Sequence, residues 1–564
     1  MRKREHFDAV IVGSGFGGSV MAYRLAEAGK RVCLLERGKS YPPHTFPRSP
    51  QGMKRNFWDP SLGLHGMFDV WSFKDIGAIV SSGLGGGSLI YANVMLRKDE
   101  KWFVQEDLAH GGYENWPLSR KDLDPHYDRA EKMLGAQRLP FDQEPYNRTT
   151  KTQAFQASAR AKGLDWQLVP LAVTFGNEGE RPRPGEPIRE AHPNLHGRTR
   201  VSCTLCGECD IGCNTGSKNT LDYNYLSHAQ RLGAEIRTRS EVRTFAPRKE
   251  GAGYDVEYVI HEPAAEGTPT DTGGLELLQL SCDRLIISSG SLGSTFLLLK
   301  NQKAFSRIDS NALGSRFSGN GDLLTLAWRS MEQRANARVP RIIDASHGPV
   351  ITSAVRVSDA EDGGQGRGYY VEDAGYPEFI NWMIQLAEAP SRPTRWLKFA
   401  AHWLALQLGL RRGTDLSAEI SNLFGDCVPS TNSVPMLGMG RDIPNGKMTI
   451  DHEGYLEVSW QLGLQREFFQ RMRATMAELA HGMGAEFKDA ISLRLSRVLT
   501  VHPLGGCPMS QSERTGVVDP FGEVHHYPGL YVVDGSIMPG PVGANPSLTI
   551  AAIADRCADR LLGF

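Results

Sequence analysis

Three features of this 564-residue chain predict an α/β protein in which a Rossmann-like, two-dinucleotide-binding domain built from separated segments is joined to a second, α+β domain. The first is residues 7–37, FDAVIVGSGFGGSVMAYRLAEAGKRVCLLER, which read as strand, glycine-rich turn, helix and strand. The second is a β-patterned stretch over 233–290 that runs into LIISSGSLGSTFLLL, where Gly290 and Gly293 open a helix. The third is the C-terminal GLYVVDGSIMPGPVGANPSLTIAAIADRCADRLL, read as a buried strand, a Pro/Gly turn and a helix that begins after Pro546. Single hydrophobic cores stop growing near about 250–300 residues, so this length predicts at least two domains.

In the first stretch Gly13, Gly15 and Gly18 fill G-x-G-x-x-G directly after the apolar run Asp8–Val12. The glycines serve a tight turn, a close approach of backbone to a pyrophosphate, and helix–strand packing, while the helix N-terminus receives the negative charge. Glu36 closes the second apolar run eighteen residues beyond Gly18 and is placed to accept a hydrogen bond from a ribose hydroxyl. A second glycine-rich stretch, SSGLGGGSLIYANVML at 81–96, lets backbone press against a flat or phosphorylated ligand where a Cβ would collide. Residues 115–135 give proline-set turns and then an amphipathic helix, and 176–198 a polar Pro/Gly surface loop. Strands follow at 233–247, 254–262 and 275–290, separated by a Gly/Thr/Pro loop around 265–274.

Composition excludes several classes. A formal net charge of −1 supplies no field for nucleic acid, and 40% apolar with 23% charged residues describes a globular chain. The N-terminal MRKREHFDAVIVG runs from a short basic tail straight into a β-like segment, without the apolar region and cleavage site of a signal peptide, so a cytoplasmic location is expected. Cys33, Cys282, Cys427, Cys507 and Cys557 stand singly and form no disulfide framework.

Taken together, the N-terminal fingerprint, SSGLGGGSLIYANVMLR, WPLSRKDLDPHYDRAEKMLG, IISSGSLGSTFLLL and HPLGGCPM with LYVVDGSIMPGPVGANPSLTIAAIADR resemble the glucose–methanol–choline (GMC) oxidoreductases over the whole length, most closely their cholesterol-oxidase-like branch. The resemblance implies bound FAD, with contacts from Gly13, Gly15, Phe16, Gly17, Gly18, Glu36, Gly83, Gly86, Gly87, Ser88, Asn93, Val242, Gly290, Asp534, Gly535, Asn545 and Pro546. It divides the chain into FAD-binding segments at 1–110, 201–314 and 496–564, a substrate-side segment with loops at 111–200, and a substrate-binding domain at 315–495.

It also implies that His502 of HPLGG and Asn545 of GANP stand beside the flavin and the substrate hydroxyl. Read without the resemblance, His502 precedes a proline turn and Asn545 caps the last helix. His accepts a proton near neutral pH, and Asn offers both a donor and an acceptor. The implied reaction is oxidation of the secondary alcohol of a 3β-hydroxysteroid or similar bulky lipid alcohol, with dioxygen or another acceptor taking the electrons. A long-chain fatty alcohol or a sugar is the alternative substrate, and a non-catalytic flavin or iron–sulfur redox sensor the alternative class. Relatives of this kind bring a Glu over the substrate for double-bond isomerisation; Asp442, Glu372 and Asp373 are the candidates here. SSGLGGGS holds no His of the kind that bonds flavin in some relatives, so dissociable FAD is expected.

Cys203, Cys206, Cys209 and Cys213, four of the nine cysteines, follow the C-x2-C-x2-C-x3-C spacing of bacterial ferredoxins. Asn214 stands where proline follows the last Cys in those proteins. An iron–sulfur cluster, a structural zinc and a loop of free thiols are all open readings. Finally, RPTRWLKFAAHWLALQLGLRR at 392–412 sets Trp396, Phe399, Trp403, Leu406 and Leu410 at helical spacing between Arg392, Arg395 and Lys398 at one end and Arg411 and Arg412 at the other. It is too short to span a bilayer, and either lies at a membrane interface or lines the substrate cavity.

Overall fold

The computed structural model describes residues 5–105, 114–381, 393–408, 410, 428–489 and 498–564. Cys427 and residues 392, 411 and 412 of the basic apolar stretch lie outside them. Two sheets organise the chain. The larger runs, from edge to edge, Glu235–Arg237, Val32–Leu35, Glu5–Val12, Leu278–Ile287, Tyr254–Ile260 and Ser240–Pro247. Leu278–Ile287 has two kinds of partner along its length: residues 278–282 pair antiparallel with Tyr254–Tyr258, and 285–287 pair parallel with Leu530–Val532. That one strand therefore joins the meander to the C-terminal segment and aligns both with Glu5–Val12, its parallel neighbour.

These central strands read as continuous apolar runs because both faces are covered. Val10, Ile11, Leu34, Leu285, Ile286 and Ile287 are wholly buried, and each such side chain contributes at most about 1.5–3 kcal/mol from burial. Helix Phe16–Glu27 buries Val20, Met21, Ala22 and Leu25 and packs against the C-terminal helix Ser547–Leu562. At the outer end of that contact Arg24 bonds Asp555 and Asp559, and Arg129 and His126 close on the same carboxylates. Burial alone would push the Asp555 carboxyl up, but His126, Arg129 and Arg24 outweigh it and hold the group below the usual carboxylate range.

The segment 315–495, expected from the resemblance to be the substrate-binding domain, carries most of a six-stranded antiparallel sheet in the order Glu486–Asp489, Leu323–Trp328, Val434–Gly440, Tyr369–Asp373, Ser353–Val357 and Asp165–Leu168. Its last strand comes from the preceding segment of the chain. Strands of four to seven residues interrupted by turns give little periodic signal, which is why they escape a sequence reading. Helix Arg466–Gly482 packs on one face of this sheet, burying Phe468, Phe469, Met472, Met476 and Leu479. The amphipathic helix expected within 115–135 is Arg120–Leu134, entered through a capping box of Ser119 and Asp122.

The turn after the first strand separates two uses of glycine. A Cβ at Gly17 would fall 1.7 Å from the Val533 carbonyl oxygen and one at Gly18 would fall 2.1 Å from that of Gly13, whereas one at Gly15 meets nothing within 4 Å. Gly17→Ala is therefore expected to lower the thermal midpoint steeply or abolish soluble protein, and Gly15→Ala to leave folding intact; equal midpoints for the two variants in a thermal melt would contradict this assignment.

Candidate active site

His502 follows the short strand Val498–Thr500, which pairs in parallel with Ile76–Ala78. Its ring is fixed by a residue far away in sequence. The Asp322 carboxylate accepts from His502 Nδ1 at 2.7 Å through one oxygen. Through the other it accepts from the Val501 and His502 backbone N–H groups at 2.7 and 3.1 Å and from the Thr500 hydroxyl at 2.9 Å. Because an ionised carboxylate only accepts, the proton of a neutral imidazole must sit on Nδ1, and Nε2 presents a lone pair. The side chain keeps 15% of its surface, enough to meet a substrate from one side.

Asn545 lies in the turn before the final helix but does not cap it; the cap position is Pro546, with no side-chain bond. The Asn545 amide nitrogen points to Glu372 Oε2 at 3.5 Å, and its Oδ1 is buried without a partner. Glu372, on strand Tyr369–Asp373, is wholly buried and its Oε1 is also unpartnered. Burial pushes this carboxyl well above the usual carboxylate range, with the Asn545 amide opposing and Asp373 and Asp322 adding to the rise. Two polar atoms, an amide oxygen and a carboxyl oxygen, thus stand desolvated and unused at one place, the condition under which a ligand supplies the missing bonds.

The other two acids considered for this position are accounted for by the fold. Asp373 is saturated: it accepts from the Thr352 and Ser353 N–H groups at 3.0 and 2.7 Å and from the Thr352 hydroxyl at 2.6 Å. Asp442 accepts from the Ser318 hydroxyl at 2.5 Å and the Gly321 N–H at 2.9 Å, and burial pushes it up to about 7. Its task is to hold the turn Ser318–Asp322. Within that turn Asn320, at φ 54°, donates to the Ala544 carbonyl at 2.9 Å and accepts from the Gly543 N–H at 2.8 Å. The same five residues therefore position His502 through Asp322 and Asn545 through Asn320. Lys98, fully buried, donates to the Pro541 and Val542 carbonyls and fixes the other end of the Asn545 turn. Burial lowers its ammonium to about 7 against the pull of Glu114.

A cradle for a dinucleotide lies at the end of the first strand. Gly86 packs so closely on Gly15 that a Cβ on it would sit 2.7 Å from the Gly15 Cα, which brings the two glycine-rich turns together. Cβ positions at Gly15, Gly87 and Gly290 all meet open space. Helix Phe16–Glu27 begins without a side-chain cap, leaving N–H groups for an anion, whereas the first N–H of Gly290–Lys300 is already taken by Asp534. Glu36 accepts from the Ser14 N–H and hydroxyl and from the Gly38 N–H, and a carboxylate with three donors keeps room for one from a ribose. Asn93, at φ 71°, is wholly buried with both amide atoms unpaired, and the Asp222 Oδ1 is unpaired 3.7 Å from a Cβ built on Gly85. The residues present fit an extended, phosphorylated ligand.

The remaining residues implied by the resemblance are distributed around this cradle. Ser88 donates to the Gly85 carbonyl and accepts from the Leu221 N–H. The Asp534 carboxylate holds the Gly290 N–H and Ser294 on one oxygen and Ser536 on the other, tying the start of the second helix to the Gly535 turn. Val242 is buried on strand Ser240–Pro247. Sequence reading missed Asp322, Asn320, Lys98 and Asp222; the one local hint was SGNGD, a glycine-rich turn whose polar residues precede an apolar run.

Comparison with known proteins supports the likeness seen in the sequence. Residues 455–554 match the model described as GMC oxidoreductase, and 11–59 match an NAD(P)-binding Rossmann-like domain. The chain is 28% identical to a cholesterol oxidase of Mycobacterium tuberculosis strain H37Rv, covering 98% of this chain and 90% of that protein, and 27% identical to one of Acinetobacter baumannii, covering 98% and 93%. Along nearly its whole length the chain is similar to GMC oxidoreductases. Its fold is also that of the crystal structure of pyridoxine 4-oxidase from "Mesorbium loti", with a TM-score of 0.58 and 16% identity over 99% of both chains. The match of 455–554 to the GMC oxidoreductase model and the Rossmann-like domain at 11–59 imply FAD as the dinucleotide.

Asp322→Asn is expected to keep the backbone bonds through its amide oxygen while presenting N–H to His502, which moves the imidazole proton to Nε2. Flavin content should stay near one per chain, while anaerobic reduction of the flavin by substrate alcohol falls by about two orders of magnitude or more. Unchanged reduction rates would remove His502 from the proton path.

Proposed function

We propose that this chain oxidises the secondary hydroxyl of a bulky lipid alcohol, of the 3β-hydroxysteroid class, with FAD as the hydride acceptor. The observation that carries the reading is the buried pair Asn545 and Glu372, each with an unused oxygen. His502, fixed by Asp322, supplies the acceptor for a hydroxyl proton. The chemistry that bound FAD would supply is acceptance of the hydride. His502 Nε2 accepts the hydroxyl proton as the carbinol C–H bond breaks, and Asp322 stabilises the imidazolium that results. The Asn545 amide orients the hydroxyl so that proton and hydride leave from adjacent atoms. The buried strand that carries Glu372 excludes water from this point.

Glu372 favours a steroid over a sugar. An oxidised 3-oxo-5-ene steroid needs a base that lifts a proton from C4 and returns it at C6, and a carboxyl in an apolar setting has the proton affinity for that transfer. The acid must be ionised to begin. Since burial holds Glu372 well above the carboxylate range, the ionised fraction, and with it the isomerisation rate, rises with pH.

The reading includes a location as well as a reaction. Among the described residues no helix is long and apolar enough to cross a membrane. Helix Pro393–Gln407 and the residues just after it nevertheless expose Leu397, Trp403, Leu404, Leu408 and Leu410, with Lys398 also exposed. An exposed apolar helix beside basic residues supports peripheral contact of a cytoplasmic enzyme with a lipid surface, from which a sterol could be drawn. The electron acceptor in this reading is dioxygen, as the word oxidase in the names of the two cholesterol-oxidising relatives suggests.

Anaerobic mixing with a panel of 3β-hydroxysteroids, long-chain alcohols and sugars is expected to bleach the flavin fastest with the steroids. Glu372→Gln should keep bleaching but lose conversion of 3-oxo-5-ene to conjugated 3-oxo-4-ene product. Fastest bleaching by a sugar, or isomerisation that survives in Glu372→Gln, would refute the steroid assignment.

A further inference from the structure

The cysteine-rich loop takes no part in the alcohol chemistry, yet it is one of the most tightly specified loops of the chain. Three residues in it adopt left-handed or otherwise positive φ: Leu205 at 63°, Gly207 at 67° and Gly212 at 88°. A Cβ on Gly207 would fall 2.3 Å from the Ser346 carbonyl oxygen, and one on Gly212 would fall 2.0 Å from the Phe46 ring, so the loop is wedged between two other segments. Arg48 clamps it further, bonding Glu208 at 2.8 Å and the Gly212 carbonyl at 2.6 Å. A loop serving only as a connection has no need of a left-handed leucine.

What this geometry does is gather thiols. None of the four cysteines is in a disulfide. Cys206, Cys209 and Cys213 all act electrostatically on Cys203, and Cys206 and Cys213 act on Cys209, so the four sulfurs share one small volume. Backbone N–H groups bear on each of them: Leu205 on Cys203, Glu208 on Cys206, Val350 on Cys209, and Thr215 with Lys218 on Cys213. Cys213 Sγ also has the Thr215 and Ser217 hydroxyls at 3.2 and 3.3 Å. Donors thus converge on all four sulfurs, the kind of outer-shell hydrogen bonding that surrounds sulfur-ligated metal sites.

The spacing of the sulfurs distinguishes between metals. Among the described residues, the one group of three or more ligating side chains whose donor atoms all lie within 4.8 Å is His126, Asp555 and Asp559, already neutralised by Arg24 and Arg129. Tetrahedral zinc, with Zn–S near about 2.3 Å, would draw its sulfurs to about 3.8 Å from one another. The cysteines are not drawn together to that degree. A cubane binds each thiolate at a different iron and accepts a wider set.

A buried cation completes the site. Lys218, 1% exposed, donates from Nζ to the Cys209 carbonyl at 2.8 Å and to the Leu89 carbonyl at 2.9 Å. Its charge opposes the net negative charge that four thiolates would leave on a cluster. Because Leu89 closes the turn Gly86–Leu89 of the dinucleotide cradle, the same lysine joins the cysteine loop to the flavin site. Tyr91 lies under Lys218 Nζ at 4.7 Å and packs edge-on against Phe16 of the first glycine-rich turn, so one layer of side chains separates loop and cradle.

We propose that Cys203, Cys206, Cys209 and Cys213 together bind an iron–sulfur cluster beside the dinucleotide cradle, with Lys218 as its buried counter-charge. The site is independent of the identity of the alcohol. Full-length protein purified under anaerobic conditions is expected to carry iron and acid-labile sulfide in near-equal amounts, with broad visible absorption beneath the flavin bands and a paramagnetic resonance signal in one of its oxidation states. Cys209→Ser should lose most of the iron. Cys206→Ser, at the exposed position, provides a second variant in which folding is least at risk, and FAD content reports folding in both. Zinc without sulfide would overturn the proposal. So would the absence of iron in FAD-replete protein, if incubation with ferrous iron and sulfide under reducing conditions also fails to build the signal, or retention of full iron in both serine variants.

Discussion

The placement of His502 and Asn545, the proposed catalytic pair, depends on one turn, Ser318–Asp322, and on the carboxylate at its end. Asp322 takes four donors, three from the backbone and side chain around Thr500–His502 and one from the imidazole. Asn320, two residues earlier, takes and gives one bond each to the segment that ends in Asn545. Neither the histidine nor the asparagine has a local partner that would orient it equally well. Their relative placement is therefore a property of the turn, and the turn is in turn pinned by Asp442 through Ser318 and Gly321. Charge-assisted bonds of this kind, buried away from water, are stronger than neutral ones and geometrically demanding, which suits a site that must hold atoms to fractions of an ångström.

The turn also explains how two sheets make one site. Strand Leu323–Trp328 continues from it into the six-stranded sheet, while the residues it binds belong to segments that lead into the larger sheet and the C-terminal helix. Glu372 comes from the six-stranded sheet itself, through a strand two places across from Leu323–Trp328. The proposed alcohol site thus takes His502 and Asn545 from segments that lead toward the larger sheet and the C-terminal helix and Glu372 from the six-stranded sheet, and the dinucleotide cradle lies on the side of the larger sheet. A carboxyl such as Glu372, desolvated and lacking a partner on one oxygen, is destabilising to the folded chain, which is the physical ground for placing chemistry there in the proposed function.

Much of the nucleotide side was legible in the sequence because its signals are local. Gly13, Gly15 and Gly18 act within one turn, and Glu36 accepts from Ser14 across a single strand–helix–strand unit. His502 and Asn545 were singled out only through the wider motifs around them, since an isolated His before proline and an Asn before a helix suggest no chemistry, and their proposed roles await the tests above. Asp322 was hidden because its partner is 180 residues away. Of the three acids left open by the sequence, Asp442 is taken by Ser318 and Gly321, and elementary strand geometry separates the other two: Glu372 and Asp373 are successive residues on one strand, so they face opposite sides of the sheet. One meets Asn545, and the other is consumed by Thr352 and Ser353. The strands of the second sheet were lost to sequence reading for a different reason, their shortness.

The most direct test of the central claim is a single-turnover measurement with a 3β-hydroxysteroid carrying deuterium at the carbinol carbon. Anaerobic mixing with FAD-loaded protein should bleach the flavin in one phase whose rate falls several-fold on deuteration, because the hydride leaves carbon in the step that His502 and Asn545 organise. Flavin that remains oxidised in the presence of every lipid alcohol tried, in protein that holds FAD at one per chain, would contradict the account.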